Sequence, residues 1–402
     1  MSVDDPPRRE RRSAAPTRFG VHDDGERDEP LLSVTDLRTY IRADGGPVRA
    51  VDGVSFAVDR GETVCLVGES GSGKSVTCQS LTGIVPRPPA EILGGEVRFD
   101  GTSILGDESR LRRVRGDRIG HVFQNPQHAL DPVYPVGEQI VEAIRIHRPV
   151  GREHARERAI ELLGSVGIPR PATRLDDHPH EFSGGMRQRV AIAIGLAAEP
   201  DLLVADEPMT AVDVTVQARL IELFRGLVDD GLAVLLVTHD LRVVAALADR
   251  VLVMFGGTIV ERGPVQEVFE RPAHPYTQAL FASYDGSGSG GDRPLRRPDA
   301  TASPPDGTVS RSDGTVSRSD GITPRPYRAP RGDLPTDGCR FRGQCSHAIE
   351  ACRGPEQPRA HPVENAANHA ASCVYYADGR DPGPVLEAGR ASRPEAAEGD
   401  DD

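Results

Sequence analysis

The stretch Gly68-Glu69-Ser70-Gly71-Ser72-Gly73-Lys74-Ser75 decides the fold. It fits the spacing G-x-x-x-x-G-K-[ST], directly after the short apolar run 63–67 and directly before a helical pattern that opens at Val76. Strand, glycine-rich turn and helix in that order make a phosphate cradle. The glycines let the backbone wrap so that N–H groups point inward, and the helix adds its positive N-terminal end. In such a cradle Lys74 would reach the β- and γ-phosphates as a point charge, and Ser75 would ligate Mg2+ through its hydroxyl. One count supports this reading: of 48 basic residues in the 402-residue chain, 47 are arginine and the single lysine is Lys74. A chain that uses arginine everywhere else it needs a cation has kept a compact ammonium at one position, and that position calls for a chemical reason.

A Mg2+–nucleotide site needs a second metal contact. Leu202-Leu203-Val204-Ala205-Asp206-Glu207 supplies one, with four apolar strand residues delivering an acid pair to the strand's C-terminal edge. Asp206 would hold the Mg2+ hydration shell, and Glu207 would polarise the attacking water, a role that needs a carboxylate one hydrogen bond from the nucleophile.

The surrounding pattern is that of an α/β domain with a largely parallel sheet. From about Leu31 to Ser283, apolar strand-like runs alternate with longer helical patterns. The runs 63–67, 202–205, 233–238 and 251–255 are nearly bare of charge and read as central strands buried on both faces. Val216, Leu220, Leu223, Phe224 and Leu227 recur at helical spacing and predict a crossover helix. Between 125 and 182 the texture changes to amphipathic helices, 138–146 and 153–166, with no strand between them, which predicts a helical insertion. Residues 1–30 are rich in Arg, Asp, Glu and Pro and read as a disordered arm. A flexible linker is expected over 284–323, where DGTVSRS occurs twice in tandem at 306–312 and 313–319. Order is expected to resume over 324–377, a cysteine-rich extension, and 378–402 reads as a solvated acidic tail.

Composition removes several classes of function. A formal net charge of −13 argues against a general nucleic-acid grip. No stretch approaches the roughly 18 apolar residues of a membrane span, and the arginine-containing N-terminus lacks the apolar segment of a secretory signal. The expected location is therefore cytoplasmic.

Between the two phosphate-site motifs lies Phe182-Ser183-Gly184-Gly185-Met186-Arg187-Gln188-Arg189, whose serine precedes Asp206 by 23 residues. This segment resembles the signature motif of ATP-binding cassette (ABC) ATPases. Other cassette elements follow in order: Gln124 resembles the Q-loop glutamine, Ala211-Val212-Asp213 the D-loop, and His239 the switch histidine. The resemblance implies a P-loop NTPase cassette with a helical subdomain, ATP and Mg2+ as ligands, and two cassettes joined head to tail. ATP would lie between the loop 68–75 of one cassette and Ser183, Gly184, Gly185 and Met186 of the other. It further implies that His239 contacts the γ-phosphate, that Gln124 links the metal to the helical insertion, and that Asp213 sits at the dimer contact. An adenine-stacking aromatic is expected near the start of the fold. Tyr40 is the nearest aromatic, while simple alignment places Ile41 there.

The stretch QNPQHALDPVYPVGEQIVE at 124–142, together with Asp213-Val214-Thr215-Val216-Gln217 and His274-Pro275-Tyr276-Thr277, is similar to the ATP-binding subunits of dipeptide, oligopeptide and nickel importers. This implies a second cassette in a separate chain, two membrane permeases and an extracytoplasmic solute-binding protein as partners, with the chain peripheral on the cytoplasmic face of the membrane. Peptide is the leading cargo, with nickel or another small solute, or a non-transport soluble cassette ATPase, as alternatives. Phe182, Met209 and Val212 stand where the family usually has Leu, Thr and Leu. None of these changes removes a catalytic group, so an active ATPase is expected.

Six cysteines remain. Cys65 and Cys78 flank the phosphate loop and read as core residues. Cys339, Cys345, Cys352 and Cys373, spaced C-x5-C-x6-C-x20-C, lie in a segment too small for a core of its own, and a cytoplasmic setting disfavours disulfides. Four gathered thiols suggest an iron–sulfur or four-thiolate metal site. The lack of short C-x2-C pairs ranks a 4Fe-4S cluster above zinc, with unligated thiols third. The block is similar to the C-terminal extension of peptide-importer ATPases, for some of which a cluster is implied. His347, His361 and His369 read as surface residues, and the extension as a unit hung on its linker without a rigid hold on the nucleotide site.

Overall fold

The computed structural model describes residues 29–124, 129–210, 212–285, 334–363 and 368–391. The expected arm and linker, the tandem repeats and the last eleven residues lie almost wholly outside these. In chain order the strands are β1 (Leu32–Ile41), β2 (Val48–Val58), β3 (Thr63–Val67), β4 (Ala90–Phe99), β5 (Thr102–Ser103), β6 (Ile119–Val122), β7 (Leu202–Asp206), β8 (Ala233–Val237), β9 (Arg250–Phe255), β10 (Thr258–Pro264), β11 (His361–Pro362) and β12 (Ala370–Ala371).

They form two sheets. The larger has the order β11-β12-β10-β9-β3-β8-β7-β6. Its five central members β9, β3, β8, β7 and β6 run parallel. Side chains of β3, β7 and β8 alternate between two cores. Cys65, Val67, Leu203, Ala205 and Leu236 belong to the core shared with the helices, whereas Val64, Leu66, Leu202, Val204 and Leu235 belong to the one under the second sheet. Each of these residues is at most 1% exposed, and complete burial of a Val or Leu contributes about 1.5–3 kcal/mol. A strand buried on both faces has no polar side to show, which is why these runs lack charge.

The second sheet, β2-β1-β4-β5, is antiparallel and was not legible as a separate layer. The alternation that would announce β1 is broken by register shifts around Asp36, which takes a left-handed φ of 50°. The helical insertion contains helices Val136–His147, Arg152–Ser165 and Pro171–Arg174. On the first of these, Val136, Ile140, Val141 and Ile144 are buried, the stripe that spacing by three and four residues places on one face. The next long helix, Gly184–Leu196, packs on the insertion and on β6.

The C-terminal extension corrects the expectation of a loosely hung unit. β12 pairs antiparallel with β10, Glu261 opposite Ala371 and Arg262 opposite Ala370, so the extension completes an edge of the main sheet. His369, expected at the surface, is 1% exposed, and its Nε2 lies 2.7 Å from Glu261 Oε1. Glu261 also accepts the backbone N–H groups of Ala273 and His274 at 2.8 Å each, so one buried carboxylate ties β10, the following loop and the extension together. Arg340, 6% exposed, pairs with Asp52 of β2 and donates to the Gly256 carbonyl. Order also continues past the expected boundary at 377. Helix Gly383–Ala391 buries Val385, whose carbonyl accepts Gln278 Nε2 at 2.9 Å. These contacts of the extension join residues 84 to 288 positions apart, so no local pattern announces them.

Candidate nucleotide-binding site

Strand register carries the dispersed motifs to one edge. Leu66 of β3 and Asp206 of β7 both stand abreast of Val237 of β8. The phosphate loop, the acid pair and His239 therefore all leave the sheet at its C-terminal side. Val122 of β6 stands abreast of Ala205, which brings Gln124, exposed, to the same edge. In parallel α/β sheets this edge is where ligands bind.

The loop's glycines are fixed by the chain itself. A Cβ on Gly68 (φ 149°) would lie 2.2 Å from the Met254 carbonyl oxygen, and one on Gly73 (φ 108°) 2.0 Å from that of Ala50. Gly73 N-caps helix Lys74–Leu81 without a side-chain bond, which leaves the first-turn N–H groups available for an anion. Lys74 is 6% exposed, and its Nζ donates to the carbonyls of Gly68 at 2.8 Å and Glu69 at 2.6 Å. Burial lowers its pKa, opposed by Glu207, Asp206 and Glu69. The lysine thus waits folded onto its own loop, and nucleotide phosphates would exchange those carbonyls for stronger charge-assisted contacts.

Asp206 is buried, which raises its pKa, while a hydrogen bond from the Ser75 hydroxyl lowers it. Its Oδ1 has no hydrogen-bond partner. An orphaned carboxylate oxygen beside a serine hydroxyl fits a hard cation that takes oxygen ligands and keeps several waters. Ser75 and Asp206 would hold Mg2+, which when bound neutralises charge on the β- and γ-phosphate oxygens.

Glu207 occupies the left-handed region at φ 49°, unusual for a side chain with a Cβ, and its N–H donates to Val237 O at 2.9 Å. That conformation costs about 1–3 kcal/mol and clusters at functional sites. The carboxylate is held at both oxygens. Thr210 Oγ1 donates to Oε2 at 3.1 Å, and His239 Nδ1 lies 3.3 Å from Oε1. A carboxylate held in this way has the chemistry to accept a proton from a nearby water, and the His239 beside it is exposed.

The signature segment is built differently. Ser183 caps helix Gly184–Leu196, its Oγ accepting Met186 N–H at 3.3 Å, and both Ser183 and Gly184 are exposed. A Cβ on Gly184 would meet nothing within 4 Å. Phe182, which departs from the usual leucine, is 2% exposed under the Arg174 guanidinium, so the change is absorbed in a core. Asp213 caps helix Val214–Asp229 through Val216 N–H at 2.9 Å, and the adjacent Val214 is 76% exposed. Ala211 lies outside the described residues.

Tyr40 Oη donates to Asp52 Oδ1 at 2.9 Å, and the Arg49 guanidinium stands 5.7 Å from its ring centroid. Sequence reasoning missed Thr210, which steadies Glu207, and Tyr276, whose hydroxyl accepts the Glu69 N–H at 3.0 Å. The His274-Pro275-Tyr276-Thr277 motif was the available signal for Tyr276, read there only as a family marker.

The four extension cysteines converge. Each sulfur lies within electrostatic reach of the other three. Burial raises the thiols of Cys345 to about 11 and Cys373 to about 12. Sulfurs of Cys339, Cys345 and Cys373 accept backbone N–H groups from residues two or three positions on. Among the described residues no group of three or more His, Cys, Asp or Glu side chains is arranged to hold a metal ion, for zinc and for a cluster alike. Cys65 and Cys78 are buried core residues.

Comparison with known proteins agrees with this geometry. The family model for ABC transporters matches residues 51–210, and that for the oligopeptide/dipeptide transporter C-terminal region matches 260–307. The oligopeptide transport ATP-binding protein OppD of Bacillus subtilis is 48% identical over 281 residues, covering 68% of this chain and 78% of that one. A putative peptide import ATP-binding protein of Brucella ovis is 42% identical over 355 residues, covering 87% and 98%. Among solved structures, a dimeric ATP-binding cassette in a post-hydrolysis state with ADP and Pi superposes with a TM-score of 0.54 at 27% identity, covering 58% of this chain and 99% of that one. The chain is an ATPase, and it belongs to the ABC transporter family, in the branch that carries the oligopeptide/dipeptide transporter C-terminal region.

Proposed function

We propose that the chain is the ATP-hydrolysing subunit that drives a peptide importer, closing head to tail on a second cassette and working peripherally on the cytoplasmic face of the membrane through two permeases fed by an extracytoplasmic solute-binding protein. One observation carries the head-to-tail reading: the exposed Ser183–Gly184 helix start is a phosphate-type N-terminus with open space in front of it, while the loop 68–75 already supplies this chain's own cradle. Ser183, Gly184, Gly185 and Met186 are therefore addressed to a nucleotide held by the partner. No helix among the described residues is long and apolar enough to cross a membrane, and in this reading the membrane is crossed by the permeases. Peptide as cargo is supported by the names of the relatives and by the matched C-terminal region. Peptide-stimulated ATP hydrolysis by the assembled importer tests it, and stimulation by Ni2+ but by no peptide would replace the cargo. Tyr40 or Ile41 would face the adenine, and Gln124 would join the metal site to the permease contact.

For the extension, the reading is a 4Fe-4S cluster held by Cys339, Cys345, Cys352 and Cys373. The support is that the four thiols interact electrostatically with one another and that three of them accept backbone N–H bonds, which favour thiolates. Anaerobically purified chain should be brown and contain iron and sulfide. Free reaction of all four thiols in metal-free anaerobic protein would remove the cluster.

A further inference from the structure

Residue 69 is gripped from two sides. Its carbonyl accepts Lys74 Nζ at 2.6 Å, and its N–H donates to Tyr276 Oη at 3.0 Å. The first grip is temporary, because Lys74 must leave the loop carbonyls to reach a nucleotide's phosphates. The second does not depend on Lys74. Tyr276 stands in the first turn of helix Pro275–Asp285 and is 0% exposed. Its ring is wedged between Phe255, at the end of β9 (centroids 4.6 Å apart), and Phe341 of the C-terminal extension (5.6 Å). Phe341 also meets Phe255 edge-on at 5.4 Å, closing a three-ring cluster. The helix start is fixed in turn by Glu261, through the N–H groups of Ala273 and His274. The buried ring that carries the hydroxyl is thus held by β9, by its own helix and by the extension.

We propose that Tyr276 is a positioning residue for the phosphate loop: its hydroxyl holds the amide of residue 69, so the loop keeps its shape when Lys74 turns to the nucleotide, and Phe341 makes the extension the wall that aims it. The inference rests on the ATP site described above. A loop held in its binding shape loses less freedom when ATP arrives, so the bond appears in affinity more than in the chemical step.

The test uses the full chain with Mg-ATP. Tyr276→Phe keeps the ring cluster and removes only the oxygen. Affinity for ATP should fall about 3–10-fold, the range expected for one hydrogen bond of modest net strength. KM should rise in parallel, kcat should change less than about twofold, and amide exchange should quicken at residues 69–72 but not at 206–207. Phe341→Leu should weaken affinity in the same way, and the double variant should bind ATP no worse than the weaker-binding single variant, because both changes act on one bond. Unchanged affinity and unchanged exchange at residue 69 in Tyr276→Phe would overturn the positioning role. Full additivity in the double variant would overturn the route from the extension through the hydroxyl.

Discussion

Two glycine-rich helix starts in this chain look alike in sequence and differ in what fixes them. At Gly68 and Gly73 the chain's own carbonyl oxygens leave no room for a Cβ, and the positive φ angles exclude other residues. At Gly184 the chain has no use for the missing side chain, since a Cβ there would touch nothing. The first loop is a finished site closed by its own fold. In the head-to-tail reading proposed above, the second is half a site whose other half belongs to another molecule, and the contrast in internal packing is what that reading predicts.

Alanine substitution should split the two starts most widely. Gly73→Ala forces a Cβ against a backbone oxygen at a left-handed residue, and we expect a loss of about 3–5 kcal/mol in thermal or urea unfolding. Gly184→Ala should stay within about 1 kcal/mol of the parent in the same assay, because alanine suits a helical turn better than glycine. It should nonetheless lower hydrolysis sharply in the assembled importer. Equal stability losses at the two positions would erase the distinction.

The chemistry should divide in the same way within the finished site. Glu207→Gln should lose about 10²–10⁴-fold in kcat while still binding ATP, the size of effect expected for removing a general base. Lys74→Ala should instead fail at nucleotide binding. Separate titration and turnover measurements decide the matter, and near-parental turnover by the Gln variant would free Glu207 of this role.

Glu261→Gln tests the join between cassette and extension. The amide offers one acceptor where two buried carboxylate oxygens now take three donors, so a loss of about 1–3 kcal/mol is expected. Proteolysis should then cut first within 334–391. An extension that stays protected would mean that β12 and the ring cluster hold it without this carboxylate.

The smallest effect concerns Glu69, which burial raises to about 7 from 4.5, against the pull of Lys74. A raised carboxyl favours its protonated form in the fold, so its cost grows as pH rises from about 4.5 and levels off above about 7. Glu69→Gln should therefore gain stability over the parent at pH 8 and much less at pH 5. Discounted for a group about half open to solvent, the gain at pH 8 is on the order of 1 kcal/mol. A gain of equal size at both pH values would rule out titration as its source.

What could be read in advance follows from chain distance. The phosphate loop, the acid pair and the signature are contiguous, each motif sitting where a strand ends or a helix begins, and parallel register carries them to one edge without further information. The antiparallel second sheet was hidden by the irregular register of β1. Docking of the extension was hidden because Arg340 meets Asp52, and His369 meets Glu261, across intervals of 288 and 108 residues. Tyr276 stood in a motif already noticed, but a tyrosine accepting one backbone N–H leaves no periodic trace. His369 read as a surface histidine because its partner carboxylate comes from a distant strand.

The central claim is that Ser183 and Gly184 act on ATP held by another chain, and labelling with a photo-crosslinkable ATP in the assembled importer tests it most directly. With Gly184→Arg in this chain and Mg2+ present, label on the partner cassette's phosphate loop should be lost while label at this chain's own Lys74 loop is retained. Loss confined to this chain, with the partner still labelled, would contradict the account.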